Sequence, residues 1–153
     1  MTDLPAFSKT DYEFLAEFRY ALSQYLRFSR NAVETAGITL QQHQVMLFII
    51  GNPGRQQLTI GELAERLQVR HHSAVGLVDR LEQQGLVERR QNQDDKRRVF
   101  INLTKKGISV LQSLAGMHSE ELRHLGPQLC AMLKKITHSA DSKNAITKRG
   151  KCR

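Results

Sequence analysis

The chain has 153 residues, 40% of them hydrophobic and 25% charged, with 23 Lys/Arg against 15 Asp/Glu for a net charge of +8. Its length suits one domain, or a small domain with helical extensions. The composition is that of a soluble globular protein, not a disordered or fibrous one. The longest apolar run, Val45 to Ile50, is far short of the roughly 20 residues a membrane helix needs. The first residues, MTDLPAFSKTDYEF, lack a basic start and an apolar core, so no secretory signal and a cytoplasmic location are expected.

In chain order, Thr10 and Glu13 fit a capping box opening a long helix to about Ala36. Leu15, Phe18, Leu22, Tyr25, Leu26, Ser29 and Val33 share one face, and Phe14, Ala21 and Phe28 widen it. So broad an apolar surface on one helix is hard to bury in a chain of this size, which points to a partner subunit. Gly37 closes the helix. Thr39 with Gln42 then starts a second helix, Leu40 to Ile50, apolar all round and therefore central. Gly51-Asn52-Pro53-Gly54 is a stop and turn.

The stretch from Leu58 to Thr104 is the most informative. Thr59 and Glu62 form a capping box for a helix bearing Ile60, Leu63, Ala64 and Leu67 on one side. Gln68 and Val69 allow only a tight turn before the next apolar set, Ala74, Leu77, Val78 and Leu81. Gly85 is placed to cap that second helix in the left-handed conformation. Leu86 to Arg90 and Arg98 to Leu103 read as two strands, the second alternating with Val99, Ile101 and Leu103 on one face. Asn92, Asp94, Asp95, Lys96 and Arg97 make a charged hairpin tip between them. Two helices and a ribbon of this kind form a winged helix-turn-helix, whose second helix enters the major groove of DNA with its N-terminal residues against base edges. Arg70, His71, His72 and Ser73 occupy those positions here. Gly76 weakens the helix by about 1 kcal/mol relative to Ala, which is explained if backbone or DNA comes close, or is simply tolerated. A cationic tip at Lys96, Arg97 and Arg98 can reach the adjacent minor groove and phosphates, and Asp95 can hold Arg97 through a charge-assisted bond.

Beyond the ribbon, Thr104 caps a helix expected to run to Leu125, with Ile108, Leu111, Ala115, His118, Leu122 and Leu125 as its seam. Gly126-Pro127 should break it, Pro127 starting a short final helix. Residues 139–153 are read as a mobile basic tail holding five basic residues and one acidic, +4. Residues 55–106 hold eleven basic and seven acidic residues, also +4. This second cluster suits attraction to phosphate.

The runs L-x-x-x-E-L-A-E-R-L, V-D-R-L-E-x-x-G-L-V-E-R, D-D-K-R-R and L-T-K-K-G, in this order and spacing, resemble the multiple-antibiotic-resistance regulator (MarR) family of bacterial transcription factors over about Thr39 to Gly107. The resemblance implies a mainly α fold with a small two- or three-stranded β-wing. It further implies a homodimer built by the terminal helices on a palindromic operator, and repression relieved by a small aromatic or anionic effector. Asp95-Lys96-Arg97 matches the family's D-x-R wing motif, which gives Arg97 the minor-groove role and Asp95 the supporting one. Arg70 stands where the family often caps the recognition helix with Asp or Ser. The organisation expected is a dimerisation helix at 1–38, the DNA-binding region at 39–104, dimerisation helices at 105–138 and the tail at 139–153. Arg19, Tyr20, His43 and Met46 are the candidates to border an effector cleft.

No G-x-S-x-G, H-E-x-x-H or G-x-G-x-x-G pattern is present, and Asp94-Asp95 sit together on a hairpin tip. The expectation is therefore no enzyme, no cofactor and no metal. His118 and His124 lie six apart and fall on opposite sides of a helix. Cys130 and Cys152 make neither a disulfide framework nor a zinc motif. The competing readings are a winged-helix protein-interaction module and a non-specific architectural DNA binder.

Overall fold

A computed structural model describes residues 7–149, with side chains as far as residue 137. The order of elements is α1 (Lys9–Thr35), α2 (Leu40–Ile50), β1 (Gln57–Leu58), α3 (Ile60–Leu67), α4 (His71–Gln83), β2 (Val87–Gln91), β3 (Val99–Leu103) and α5 (Lys105–Arg149). The fold is mainly helical with one antiparallel sheet in the order β1-β3-β2. The third strand is the short β1, in which Gln57 faces Asn102 and Leu58 faces Ile101.

Local signals set most boundaries. Thr39 and Thr59 each accept the amide of the residue three on, and Gln42 and Glu62 reach back to the cap amide. Both capping boxes thus form as the sequence dictates. At α1 the box is shifted: Ser8, not Thr10, receives the Asp11 amide at 3.2 Å, and Asp11 accepts the Ser8 amide at 2.8 Å. Ser-x-x-Asp competes with Thr-x-x-Glu just beyond it, and the shorter acid reaches the earlier cap.

The helix expected to end at Leu125 does not end there. Gly126 and Pro127 lie inside α5, which continues to Arg149. A proline removes one intrahelical donor, and the turns on both sides carry the helix across that single loss. The backbone of the tail is thus helical to Arg149. Its side chains, residues 150–153 and Cys152 lie outside the described part.

The chain forms two compact units, one of residues 1–28 and 119–153, the other Ser29–His118. The second holds the hydrophobic core: Val45, Met46 and Ile49 of α2, Leu63 of α3, Val78 and Leu81 of α4, Ile101 of β3 and Leu114 of α5 are all fully buried. Each such side chain contributes roughly 1.5–3 kcal/mol, so α3 and α4 are held firmly against α2. Two expectations shift. Leu47 of α2 is exposed, and the inward position on α5 is Leu114 where Ala115 was expected. Phe100 departs from the alternation of β3, because it is buried although it neighbours the inward Ile101.

Candidate nucleic-acid interface

The turn between α3 and α4 is made tight by Gln68, which takes the left-handed conformation at φ 54°, ψ 42°. Its amide reaches Glu65 O at 3.1 Å, and the Val69 amide reaches Ala64 O at 3.0 Å. These paired bonds close α3 within one residue, so α4 begins at once. The capping residue of α4 is Arg70, and no side chain caps its first amides. Those donors face solvent or an anion. Arg70, His71, His72 and Ser73 are all exposed, while Ala74, Leu77, Val78 and Leu81 on the other face are buried. The helix therefore offers its N-terminal polar residues outward from a fixed base.

Its far end is equally defined. Gly85 takes φ +70°, its amide bonding Glu82 O at 2.9 Å and the Leu86 amide bonding Leu81 O at 2.9 Å. Arg89 of β2 then grips α4. Its guanidinium meets Asp79 at 2.5 Å and pairs also with Glu82. Partial burial alone would ease loss of the Arg89 proton, but the two carboxylates outweigh that and hold its pKa above the ordinary value. The sequence reading missed this clasp, although its signal is present: Asp79 and Glu82 are three apart on one helix face, and Arg89 lies in the middle of the following strand.

The wing is the β2–β3 hairpin, with Gln91 opposite Val99. At its tip the Asn92 amide donates to Arg98 O at 2.9 Å, and the Arg98 amide to Asp95 O at 2.9 Å. The Asp94 amide donates to Asn92 Oδ1 at 2.8 Å. Asp95 supports Arg97 differently from the expected charge-assisted bond: its carboxylate accepts the Arg97 backbone amide at 3.0 Å. Geometry explains the change, since an Asp side chain readily bonds the backbone two residues on. Lys96, Arg97 and Arg98 are exposed, and none makes an ion pair with a described residue.

Gly76 sits on α4 where an added Cβ would meet no atom within 4 Å. No described part of this chain needs the space. Gly76→Ala should therefore raise the stability of the unbound protein by about 1 kcal/mol, measured by thermal or denaturant melting. Weaker DNA binding by the same variant would place the duplex close to that position.

A buried polar cluster joins α1, α2 and α5. His118 Nδ1 lies 2.7 Å from Leu114 O, and Nε2 lies 2.7 Å from Ser29 Oγ. A carbonyl can only accept, so Nδ1 carries a proton and in the neutral ring Nε2 accepts from Ser29. His43 stacks on His118, centroids 4.9 Å apart at 20°, and its Nε2 is buried with no hydrogen-bond partner. Burial, followed by repulsion from His118, lowers the His43 pKa to about 4. Of the other residues considered for an effector, Met46 is fully buried in the core, while Tyr20 and Arg19 are exposed on α1. His124 is exposed and His118 buried. Among the described residues no three His, Cys, Asp or Glu side chains converge as metal ligands, and no helix is long and apolar enough to cross a membrane.

Comparison with known proteins agrees with this geometry. Residues 36–98 match the model of the MarR family. The chain is 30% identical over 93 residues to a putative transcriptional regulatory protein for the hcr operon of Thauera aromatica, covering 61% of this chain and 54% of that one. It is 32% identical over 96 residues to the HTH-type transcriptional repressor MdtR of Bacillus subtilis, covering 61% and 59% respectively. The chain thus spans little more than half the length of these curated relatives. In fold it is similar to MepR of S. aureus as seen in a MepR-DNA complex, with TM-score 0.62, 24% identity, and coverage of 82% of this chain and 98% of that one. With the capped α3, the helix α4 and the wing in the order of that family's members, residues 36–98 are similar to the MarR family and the fold is that of its solved structures.

Proposed function

We propose that this chain is a homodimeric, sequence-specific DNA-binding transcriptional regulator, a repressor released by a small-molecule effector. One observation carries the reading: Arg70–Ser73 at the head of α4 and Lys96–Arg98 at the wing tip are exposed, on one compact unit, and uncommitted to any described carboxylate. In this reading Arg70, His71, His72 and Ser73 sample base edges in the major groove. Arg97 enters the minor groove, and Lys96 and Arg98 take phosphates. Asp95 sets the wing tip by holding the Arg97 backbone.

Support for the dimer comes from apolar side chains left outside. Leu15, Leu22 and Leu26 of α1 are 41%, 40% and 47% exposed, and Leu122 and Leu133 of α5 are 43% and 47% exposed. A second copy covering them would give a twofold pair of readers, suited to half-sites about one helical turn apart. An effector, small and aromatic or anionic, would act by favouring a dimer whose recognition helices are misplaced. Within the second unit, His43 and Met46 remain proposed to border its cleft, with the unpartnered His43 nitrogen the strongest support. A winged-helix interaction module would leave the wing arginines idle.

The test is titration against a bound palindrome. Arg97→Ala should weaken binding by about 1–3 kcal/mol, or roughly 5- to 150-fold. Unchanged affinity removes the wing from the mechanism.

A further inference from the structure

Phe100 breaks the alternation of its strand, and what surrounds it explains why. Side chains alternate across a strand, so with Ile101 fully buried in the core, Phe100 points to the opposite face of β3. It is nevertheless only 5% exposed. Two cations lie against it: the Arg55 guanidinium carbon is 5.0 Å from the ring centroid, and that of Arg98 is 5.5 Å away. Both distances lie within cation–π range.

The two arginines are not equivalent. Arg55 pairs with Glu62, whose other oxygen accepts the Thr59 amide at 2.8 Å and the Thr59 hydroxyl at 3.0 Å. Burial would raise the Glu62 pKa, but the Thr59 bonds and the Arg55 charge outweigh it and hold it low. Arg55 is thus neutralised and tied to the head of α3. Arg98, at the wing tip just before β3, is exposed and makes no ion pair with a described residue. With Arg55 compensated, a second cation against the same ring meets little net repulsion.

We infer that Phe100 is a positioning residue for Arg98, fixing this wing-tip cation for a DNA phosphate through the chain Thr59–Glu62–Arg55–Phe100–Arg98. This rests on the DNA-binding reading above and adds a residue to it. An unrestrained arginine loses rotamer freedom when it is ordered. A side chain already leaning on a fixed ring loses less on binding. The same chain ties the start of β3 to the first turn of α3.

The experiment is a double-mutant cycle in the full chain, on a DNA fragment selected for binding by the wild type and titrated over a range of salt. F100L should lose about three- to fivefold in affinity, the scale of an exposed cation–π contact, and lower the salt slope. R98A should lower the slope by about 0.9, one phosphate contact. In the R98A background F100L should cost nothing further, and F100Y, which keeps the ring, should match the wild type. Melting curves establish that each variant is folded, with F100M of similar bulk replacing F100L if it is not. Equal losses from F100L in both backgrounds, or no loss at all, overturn the inference while leaving DNA binding intact. Wild-type chain that binds no DNA overturns the functional reading and this inference together.

Discussion

Gly107→Ala should destabilise the protein by about 3 kcal/mol, the upper end of ordinary overpacking, seen as a fall in Tm of roughly 6–12 °C. Gly107 lies in the first turn of α5, where an added Cβ would stand 2.0 Å from the Leu86 carbonyl oxygen and 3.0 Å from its carbon. These are backbone atoms and cannot swing aside. Thr104 draws the two segments together, its amide bonding Leu86 O at 3.1 Å and its hydroxyl Gly85 O at 2.6 Å. It also caps α5 through the Gly107 amide at 3.0 Å. Relief of the clash would have to part α5 from the end of α4 and the start of the wing. Gly116→Ala on the same helix is the control, since nothing lies within 4 Å of its added Cβ. That variant should be neutral or more stable by up to about 1 kcal/mol. Equal melting of the two variants would refute the close approach.

Acid should weaken the fold through His43. Its folded pKa, about 4, is lowered from an ordinary 6.5 by burial and then by His118. The unfolded chain takes up this proton near pH 6.5 while the folded chain refuses it. Stability from this group is therefore complete above pH 6.5, falls as the pH drops toward 4, and levels below that. At 1.36 kcal/mol per pH unit the full loss is about 3 kcal/mol. His43→Phe keeps a flat ring on His118 and has nothing to protonate. The difference in stability between wild type and variant should therefore change across pH 4–6.5 and be constant above it. A difference independent of pH would show that His43 accepts its proton in the folded state without penalty.

The helix-turn-helix and wing were legible because their signals are local. Thr59 with Glu62, Gly85 after Gln84, and the apolar spacing of Ala74, Leu77, Val78 and Leu81 each fix a feature within one or two turns of chain. The cationic head of α4 and the wing tip followed from the same reading, and the family resemblance covered the same residues. What sequence alone did not disclose depends on segments far apart in the chain. Gly107 in L-T-K-K-G explains itself only once Leu86 is found against it. The Arg89 clasp on Asp79 and Glu82, and the Phe100 contacts with Arg55 and Arg98, arise when strands return to helices. The stacking of His43 on His118 joins α2 to α5. Pro127 misled for a different reason: its breaking tendency is a local preference that a long helix can override. Asp95 showed that a motif can fix which residue helps while leaving open which atom it helps through.

The most direct test is selection of bound fragments from a random DNA pool by the purified chain at physiological salt. A twofold reader should enrich one palindromic sequence with half-sites about one helical turn apart, roughly 10–10.5 base pairs centre to centre. Arg97→Ala should lose affinity for it. Recovery of fragments with no shared sequence, or of none at all, would contradict the account.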